Sequence, residues 1–319
     1  MRTLAILVNW RRASDTIACI ECLVKNTGGE LDIAVCDNAS PDGSFEEIYS
    51  HLAENYTAVK VDQARDVFHF SRREVLIGLV RAPANLGFAG GNNLAYSTFK
   101  LASYTHYWFL NNDTEIAEGC LLAMLQKFTA SERRVGMCGS TMVYFHDKRT
   151  VQALGGSTYR PWAGTMREIG NGTSWPASVN EEAIEAEMSY VCGASMLVSA
   201  ELIRDVGLMR EDYFLFFEEI DWCERARRAG YKLAYASNAI VYHKEGVAIG
   251  TGTGAKRSLL AEYYGMRNRL LVAWRLFPWT FPSVWLIGWL QVARRALQRR
   301  PANAWIMAKV LCGLGKRPV

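Results

Sequence analysis

The hydrophobic positions of the first 115 residues alternate between continuous apolar runs and amphipathic stretches. The runs TLAILVN, LDIAVC, IGLVRA and THYWFL predict four strands that are buried on both faces. Helices are predicted over 13–26, ending at Gly28-Gly29, from near Phe45, and from PANLGFAGGNN to about residue 102. Residues 56–77 are more charged and predict an insertion or an edge element. Strands that alternate with helices favour a parallel sheet.

The pattern changes beyond residue 130. The segments VGMCGSTMVYF, VQALGGSTY and MSYVCGASMLVS predict further strands between Gly-rich turns. Short helices are predicted at 199–206 and 221–229, separated by a loop at 207–220, and a strand is predicted at 231–242. No linker composition divides the chain. We therefore expect one α/β catalytic domain over 1–256, with halves 1–115 and 116–256, followed by a helical extension over 257–319.

Polar residues follow each of the four early strands. They are Asn9, Asp37, Asn85 and the triplet Asn111, Asn112 and Asp113. Each ending could be an ordinary turn or helix cap, since Asn and Asp favour both. In an open parallel sheet, however, ligands bind outside the carboxyl ends of the strands. Four such endings at one edge therefore predict a binding site.

Two of these endings indicate a nucleotide ligand. Asp37 could accept a hydrogen bond from a base imide or a ribose hydroxyl, or form an Asx-turn with Ser40 or Gly43. The stretch NLGFAGGNN precedes a predicted helix, so its bare backbone could approach a diphosphate at the helix N-terminus. Its candidate contacts are Gly87, Gly90, Gly91 and Asn92. The stretch fits neither GxGxxG nor GxxxxGK[ST], which disfavours a dinucleotide site or a P-loop.

Charge is unevenly distributed along the chain. From Gly254 onward there are twelve Lys and Arg residues and one acidic residue, whereas the preceding part has 24 basic and 31 acidic residues. The stretch LLVAWRLFPWTFPSVWLIGWLQVA and its flanking arginines are typical of an in-plane anchor on an anionic membrane. A packed helical subdomain or oligomer interface and a membrane span are the alternatives. The Trp and Leu content argues against nucleic-acid binding.

Cysteine usage and the N-terminal sequence indicate the cellular compartment in which the protein resides. Eight cysteines lie in apolar contexts, and Cys19 and Cys22 form the only CxxC, without a second pair to complete a zinc site. This pattern suits a reducing compartment. The N-terminal apolar run is short and is followed by Arg11 and Arg12, unlike a signal peptide. We expect a cytoplasmic protein at the inner face of the membrane.

Several ordered motifs resemble those of the GT-A family 2 glycosyltransferases, most closely the rhamnosyltransferase-like branch. They are VNW at 8–10, VCDNASPDGS at 35–44, APANLGFAGGNN at 82–93, FLNNDTEI at 109–116 and the segment from CGASM to HKEG. The likeness covers residues 3–270. It implies a GT-A fold, with a Rossmann-like mixed sheet, and an inverting, metal-dependent transferase. The implied donor is a dTDP- or UDP-sugar, with rhamnose as one candidate, and the implied acceptor is a glycan or lipid-linked saccharide of bacterial surface polysaccharide synthesis.

The resemblance also implies roles for single residues. Asn111-Asn112-Asp113 occupies the position of the DXD-type motif, so Asp113 would hold Mn²⁺ or Mg²⁺ against the donor diphosphate. A hard cation there would neutralise the charge that develops on the leaving group. His243 would match the family's later metal-binding histidine. Without that match, a lone histidine at a strand end is more often structural.

The segment FFEEIDWCERARRAG (216–230) departs from the family's Glu-Asp-x-Asp pattern. Glu219 stands where the resemblance expects an aspartate as general base. Three interpretations stay open: Glu219 is the base, Asp221 replaces it, or the enzyme is impaired. These acids could also complement the dipole of a following helix.

Two other classes of protein compete with the transferase. A sugar-1-phosphate nucleotidyltransferase would require glycines after the first strand, and NWRRASDT has none. A sugar-nucleotide-binding pseudoenzyme at the membrane is suggested by the unusual Glu219.

Overall fold

A computed structural model describes residues 2–27, 31–62, 66–72, 74–130, 134–244 and 258–318. The predicted helix end at Gly28-Gly29 and the predicted domain boundary after residue 256 lie outside these residues. All four early strands and the three helices between them are confirmed, and two antiparallel strands at 57–62 and 67–72 form an edge element of the sheet. The elements of this half are β1 (Arg2–Asn9), α1 (Ala13–Asn26), β2 (Leu31–Asp37), α2 (Ser44–Asn55), β3 (Thr57–Asp62), β4 (Val67–Arg72), β5 (Val75–Arg81), α3 (Gly87–Phe99), β6 (Tyr104–Leu110) and β7 (Thr114–Ile116).

The predicted strands and helices of the second half are present with three changes of bounds, and two helices and one strand are added that were not predicted. The segment VQALGGSTY is two strands, because the chain turns at Gly155 with φ +72°. MSYVCGASMLVS is also interrupted, and the helix predicted at 221–229 begins at Glu218. The elements are α4 (Cys120–Ala130), β8 (Val135–Tyr144), β9 (Val151–Leu154), β10 (Gly156–Arg160), β11 (Thr165–Glu168), α5 (Glu181–Glu187), β12 (Tyr190–Val191), β13 (Ser195–Ser199), α6 (Ala200–Val206), α7 (Glu218–Arg228) and β14 (Lys232–His243).

A single mixed sheet joins the two halves. Over the described ranges it has eleven strands in the order β3-β4-β5-β2-β1-β6-β13-β8-β14-β7, with β9 on β8. The neighbours β5, β2, β1 and β6 are parallel, so their carboxyl ends meet at one edge. The antiparallel strand β13 inserts between β6 and β8. There the Trp108 indole donates to Ser195 Oγ over 3.0 Å inside the core.

The C-terminal extension packs on the catalytic sheet domain. It comprises α8 (Leu259–Leu276), α9 (Phe281–Leu297) and α10 (Pro301–Leu311), and its predicted helical character is confirmed. Met266, Met307 and Leu311 form the small core between these helices. Among the described residues, no helix combines the length and apolar character needed to cross a bilayer.

Candidate active site

The ends of β1 and β2 are joined by side chains. Asn9 and Asp37 are register partners, and Asn9 Nδ2 donates to Asp37 Oδ2 over 2.7 Å. Asp37 Oδ1 accepts from the backbone N–H of Ser40 over 2.9 Å, which is the Asx-turn that the sequence left open. Asn9 Oδ1 accepts from the Thr16 hydroxyl over 2.8 Å, and Asn112 Nδ2 donates to the same hydroxyl over 2.8 Å. This buried network brings three of the predicted strand endings together.

Asn38, which follows Asp37, connects the fourth strand ending, at Asn85, with the other three. Its Oδ1 accepts from the Leu86 N–H over 2.9 Å, and its Nδ2 donates to Gly87 O over 3.0 Å and to Asn85 Oδ1 over 3.2 Å. Asn85 Oδ1 in turn accepts from the Gly87 N–H. The sequence placed Asn38 with Asp37 at the end of β2 but indicated no separate contact for it.

The glycines at the start of α3 permit close packing. Gly87 has φ +74°, and a Cβ there would lie 2.2 Å from Phe214 O. A Cβ on Gly91 would lie 2.9 Å from Val8 of β1. Gly90 is similarly close to Leu86, and the buried Asn92 donates to Phe88 O over 2.9 Å. These contacts within the protein account for the glycines without a diphosphate.

Asp113 and His243 meet at the edge of the sheet where β14 ends. Asp113 Oδ1 lies 3.2 Å from His243 Nε2, and Asn111 Nδ2 lies 3.3 Å from the same nitrogen. Gln152 Oε1 lies 2.9 Å from His243 Nδ1 inside the protein. Since an amide oxygen only accepts, Nδ1 of His243 donates to Gln152, and Nε2 is the ring nitrogen that faces Asp113.

This arrangement fits a divalent cation. A histidine whose far nitrogen is hydrogen-bonded, beside a carboxylate, is the usual arrangement of metal ligands and their supporting contacts. Burial raises the pKa of Asp113, but the contact with His243 and the charge of Arg12 outweigh it, and the net pKa is below its ordinary value. Within the described ranges no group of three or more His, Cys, Asp or Glu side chains forms a metal cluster. Donor phosphate oxygens and water would therefore complete the coordination.

Two cations lie beside this edge. Lys244 Nζ is 2.7 Å from Asp15 Oδ1, and Arg12 Nε is 2.9 Å from Asp15 Oδ2. Asp15 and Asp113 together balance these two positive charges. A divalent cation held at Asp113 would make the region net positive and suited to a polyanion such as a diphosphate.

Glu218 and Glu219 form the first turn of α7. One carboxyl oxygen of each, Oε2, is buried without a hydrogen-bond partner. Burial and the neighbouring Glu219 raise the pKa of Glu218 well above its ordinary value, and burial raises the pKa of Glu219. Glu219 Oε1 lies 3.2 Å from the position that a Cβ on Gly193 would take, so this carboxyl packs against bare backbone.

Asp221 is in a different environment. Its side chain is fully buried; its Oδ2 accepts from Arg225 Nε over 2.7 Å and lies 3.5 Å from Arg210 Nε. The Tyr213 hydroxyl donates to Oδ1 over 3.2 Å. Both carboxyl oxygens are therefore engaged, which disfavours Asp221 as a proton acceptor and indicates a role in holding α7.

The turn between β12 and β13 links the carboxylate of α7 with the strand ends. The Asn111 N–H donates to Ala194 O over 3.0 Å, and the adjoining Gly193 contacts Glu219. The predicted metal edge and the predicted base therefore flank the same short turn, although they come from distant parts of the chain.

A mixed sheet with a carboxylate and histidine beside its strand ends, and an acidic helix start across one turn, is the arrangement expected of a GT-A nucleotide-sugar transferase. Comparisons with known proteins identify the family. The profile of the family described as "Glycosyltransferase like family 2" matches residues 2–265, and the chain belongs to this family. It is a glycosyltransferase that uses nucleotide-sugar donors.

Individual relatives are distant. The low-salt glycan biosynthesis hexosyltransferase Agl10 of Haloferax volcanii is 23% identical over 299 residues, covering 90% of this chain and 82% of the relative. The mannosyltransferase PcManGT of Pyrobaculum calidifontis, solved with GDP-Man and Mn²⁺, has a TM-score of 0.55 at 13% identity and covers 98% of this chain and 85% of that one. GalNAc-T7, solved with UDP, GalNAc and Mn²⁺, has a TM-score of 0.61 at 12% identity over 95% of this chain. This chain spans 52% of the GalNAc-T7 chain, about half its length.

Proposed function

We propose that this protein is an inverting, metal-dependent glycosyltransferase that moves a hexose from a nucleoside diphosphate to a glycan or lipid-linked saccharide. The observation that carries the proposal is the joint position of Asp113 and His243 on one side of the Cys192–Ala194 turn and of Glu219 on the other. Donor and acceptor chemistry would thus meet at one turn.

The proposed donor is a dTDP- or UDP-sugar, with rhamnose as one candidate sugar. Asp37 would receive a base imide or ribose hydroxyl, although its present partners Asn9 and Ser40 would have to share it. Asp113 and His243 would hold Mn²⁺ or Mg²⁺. The bound ion would offset the negative charge that gathers on the departing diphosphate.

Glu219 would act as the general base. A buried carboxyl with a raised pKa is a stronger proton acceptor once it is ionised, and this suits the deprotonation of a sugar hydroxyl near neutral pH. In the proposed step, Glu219 takes the acceptor hydroxyl proton while that oxygen bonds to the anomeric carbon. The bond from this carbon to the diphosphate oxygen breaks, and its electron pair stays on that oxygen. The configuration at the anomeric carbon is thereby inverted.

The test pairs binding with turnover. Thermal shifts with Mn²⁺ and UDP, dTDP, GDP or CDP would identify the base, because a ligand that binds the native state raises Tm. Transfer from the corresponding sugar nucleotides would then be assayed with saccharide acceptors. Stabilisation by none of the four nucleotides would refute the proposal, and binding without any donor hydrolysis or transfer would favour the pseudoenzyme.

We also propose that the extension attaches the enzyme to the cytoplasmic face of the inner membrane. Leu286, Leu290 and Leu297 share the outward face of α9 and are 59%, 70% and 85% exposed. Arg294 and Arg299 are exposed beside them. An apolar stripe with adjacent arginines matches an anionic lipid surface, where the leucines enter the acyl boundary and the cations meet lipid phosphates.

A further inference from the structure

Helix α8 of the extension binds the segment that leads into α7. Asn268 on α8 is fully buried. Its Nδ2 donates to Tyr213 O and Leu215 O over 2.8 Å and to Phe216 O over 3.0 Å. An amide has two N–H hydrogens, so three carbonyls share them and at least one hydrogen is bifurcated.

The orientation of this amide is set by its neighbour. Arg267 Nη1 donates to Asn268 Oδ1 over 2.7 Å and to Asp212 O over 2.8 Å. A guanidinium can only donate, so the amide oxygen must face Arg267 and the NH₂ group must face the segment. Arg267 therefore selects the rotamer in which Asn268 can bind all three carbonyls.

The segment held in this way has an unusual backbone. Phe214, Phe216 and Phe217 have φ of +62°, +69° and +76°. Non-glycine residues rarely adopt positive φ, and such a backbone persists only where surrounding contacts enforce it. The carbonyls that Asn268 binds lie within this stretch, and Glu218 and Glu219 follow it directly. The backbone here sets where α7 begins and thus where the Glu219 carboxyl lies.

Phe214 connects the same segment to the start of α3, which the sequence predicts to lie near the donor diphosphate. Its ring stacks on Tyr264 of α8 with centroids 4.8 Å apart and planes at 16°. Its carbonyl accepts from the Phe88 N–H at the start of α3 over 2.7 Å. Helix α8, the strained segment and the N-terminus of α3 therefore form one connected unit.

We propose that Asn268 is a positioning residue for the transfer reaction, holding the 213–217 segment so that Glu219 faces the acceptor hydroxyl. The inference rests on the proposed function of Glu219 as base. It makes the C-terminal extension part of the catalytic machinery in addition to any role in membrane attachment. Asn268 is fully buried against this loop, so it would act on the reaction only through the loop.

The test compares substituted variants of this chain. Asn268→Asp is isosteric but lacks the NH₂ group, and Arg267→Met removes the group that orients the amide. Glu262→Gln is the matched control, because Glu262 is buried on the same helix but pairs with Arg295 over 2.7 Å instead of contacting the segment. Each variant is assayed for Tm, nucleotide-dependent thermal shift, donor KM and kcat.

Misplacement of a catalytic group by about 1 Å can cost about 100-fold, and we expect a fall in kcat of that order for Asn268→Asp. Arg267→Met should lower kcat less. In both, donor KM and the nucleotide-dependent thermal shift should stay at the wild-type level. Asn268→Gln, which keeps the donor group on a longer side chain, should recover part of the activity. Glu262→Gln should lower Tm and leave kcat unchanged.

Wild-type kcat in folded Asn268→Asp would overturn the inference, and so would an equal loss of kcat in Glu262→Gln. If Asn268→Asp does not fold, wild-type kcat in Arg267→Met overturns it. If the proposed function is wrong, the result is different: the wild-type protein itself neither binds nucleotide nor transfers sugar. If the wild type transfers sugar and Glu219→Gln does not, retained activity in the Asn268 variants refutes the positioning role alone.

Discussion

His243 Nε2 lies 3.2 Å from Asp113 Oδ1, and the far nitrogen of the same ring is 2.9 Å from Gln152 Oε1. The three residues come from the end of β14, the turn after β6 and the short strand β9. The pairing of β14 with β7 and β8, and of β9 with β8, brings them together. The Asp113 carboxylate, the His243 imidazole and the Gln152 amide thus contact one another in series from the sheet edge into the core.

Asp113→Asn should remove the metal-dependent thermal shift. The amide is nearly isosteric but lacks the charge that a divalent ion requires. At a nucleotide concentration 100 times Kd, the lost stabilisation would be about 2.7 kcal/mol. The measurement is Tm with Mn²⁺ and nucleotide, compared with Mn²⁺ alone. Asp147→Asn, at an exposed position, is the control and should keep the full shift. An undiminished shift in Asp113→Asn would exclude Asp113 as a metal ligand.

Gln152→Leu should weaken metal binding although Gln152 is not a ligand. Loss of the Nδ1 hydrogen bond leaves the imidazole of His243 free to adopt the other tautomer and other ring orientations. Removal of such a supporting contact typically costs 10–100-fold in metal affinity. Titration of Mn²⁺ at saturating nucleotide measures the change. Equal Mn²⁺ affinity in wild type and variant would mean that His243 needs no such support.

Glu219→Gln should lower kcat for transfer strongly while nucleotide binding is kept. A general base contributes about 10²–10⁴-fold, which is the expected fall in kcat. Glu219→Asp should retain part of the activity, since it keeps a carboxylate on a shorter arm. Donor KM and the nucleotide-dependent thermal shift serve as internal controls. Full turnover in Glu219→Gln would assign the base elsewhere.

The pH dependence of wild-type kcat should report the environment of Glu219. A base acts only when deprotonated, so kcat falls as pH drops through its pKa. Because burial raises that pKa, the fall should begin above the range of an ordinary glutamate. The groups that face this carboxyl are Glu218 and Cys223 on its own helix and Tyr190 on β12. An acid limb at the ordinary glutamate pKa would mean that the carboxyl is solvated during turnover.

The double substitution Leu286→Glu and Leu290→Glu should weaken binding to anionic vesicles. Burial of one leucine contributes about 1.5–3 kcal/mol, so loss of two should cost on the order of 100-fold or more in partitioning. Sedimentation with phosphatidylglycerol and phosphatidylcholine vesicles measures this. Leu122→Glu, at a position that is also exposed but lies on α4, is the control and should bind as the wild type does. Equal sedimentation of the double variant would contradict a membrane-facing α9.

The sequence determined the local elements and the edge on which the site lies. Continuous apolar runs predicted β1, β2, β5 and β6 because a strand covered on both faces needs apolar residues at every position. The polar residues after these strands meet as predicted, since parallel neighbours share one edge. The family resemblance agreed with the profile match; its narrower rhamnosyltransferase-like branch stays a prediction.

Tertiary structure decided which of those residues are accessible and which are engaged. Asp221 was the alternative to Glu219 as base in the sequence, yet it pairs with Arg225 in the core. The glycines of α3 face Phe214 and Val8, which a local pattern cannot reveal. Gln152 and Asn268 carried no signal at all, because their partners lie far away in the chain. Local burial and backbone preference are encoded in short windows, whereas the positive-φ segment before Glu219 is bound by residues of α8 and α3 that are distant in the chain.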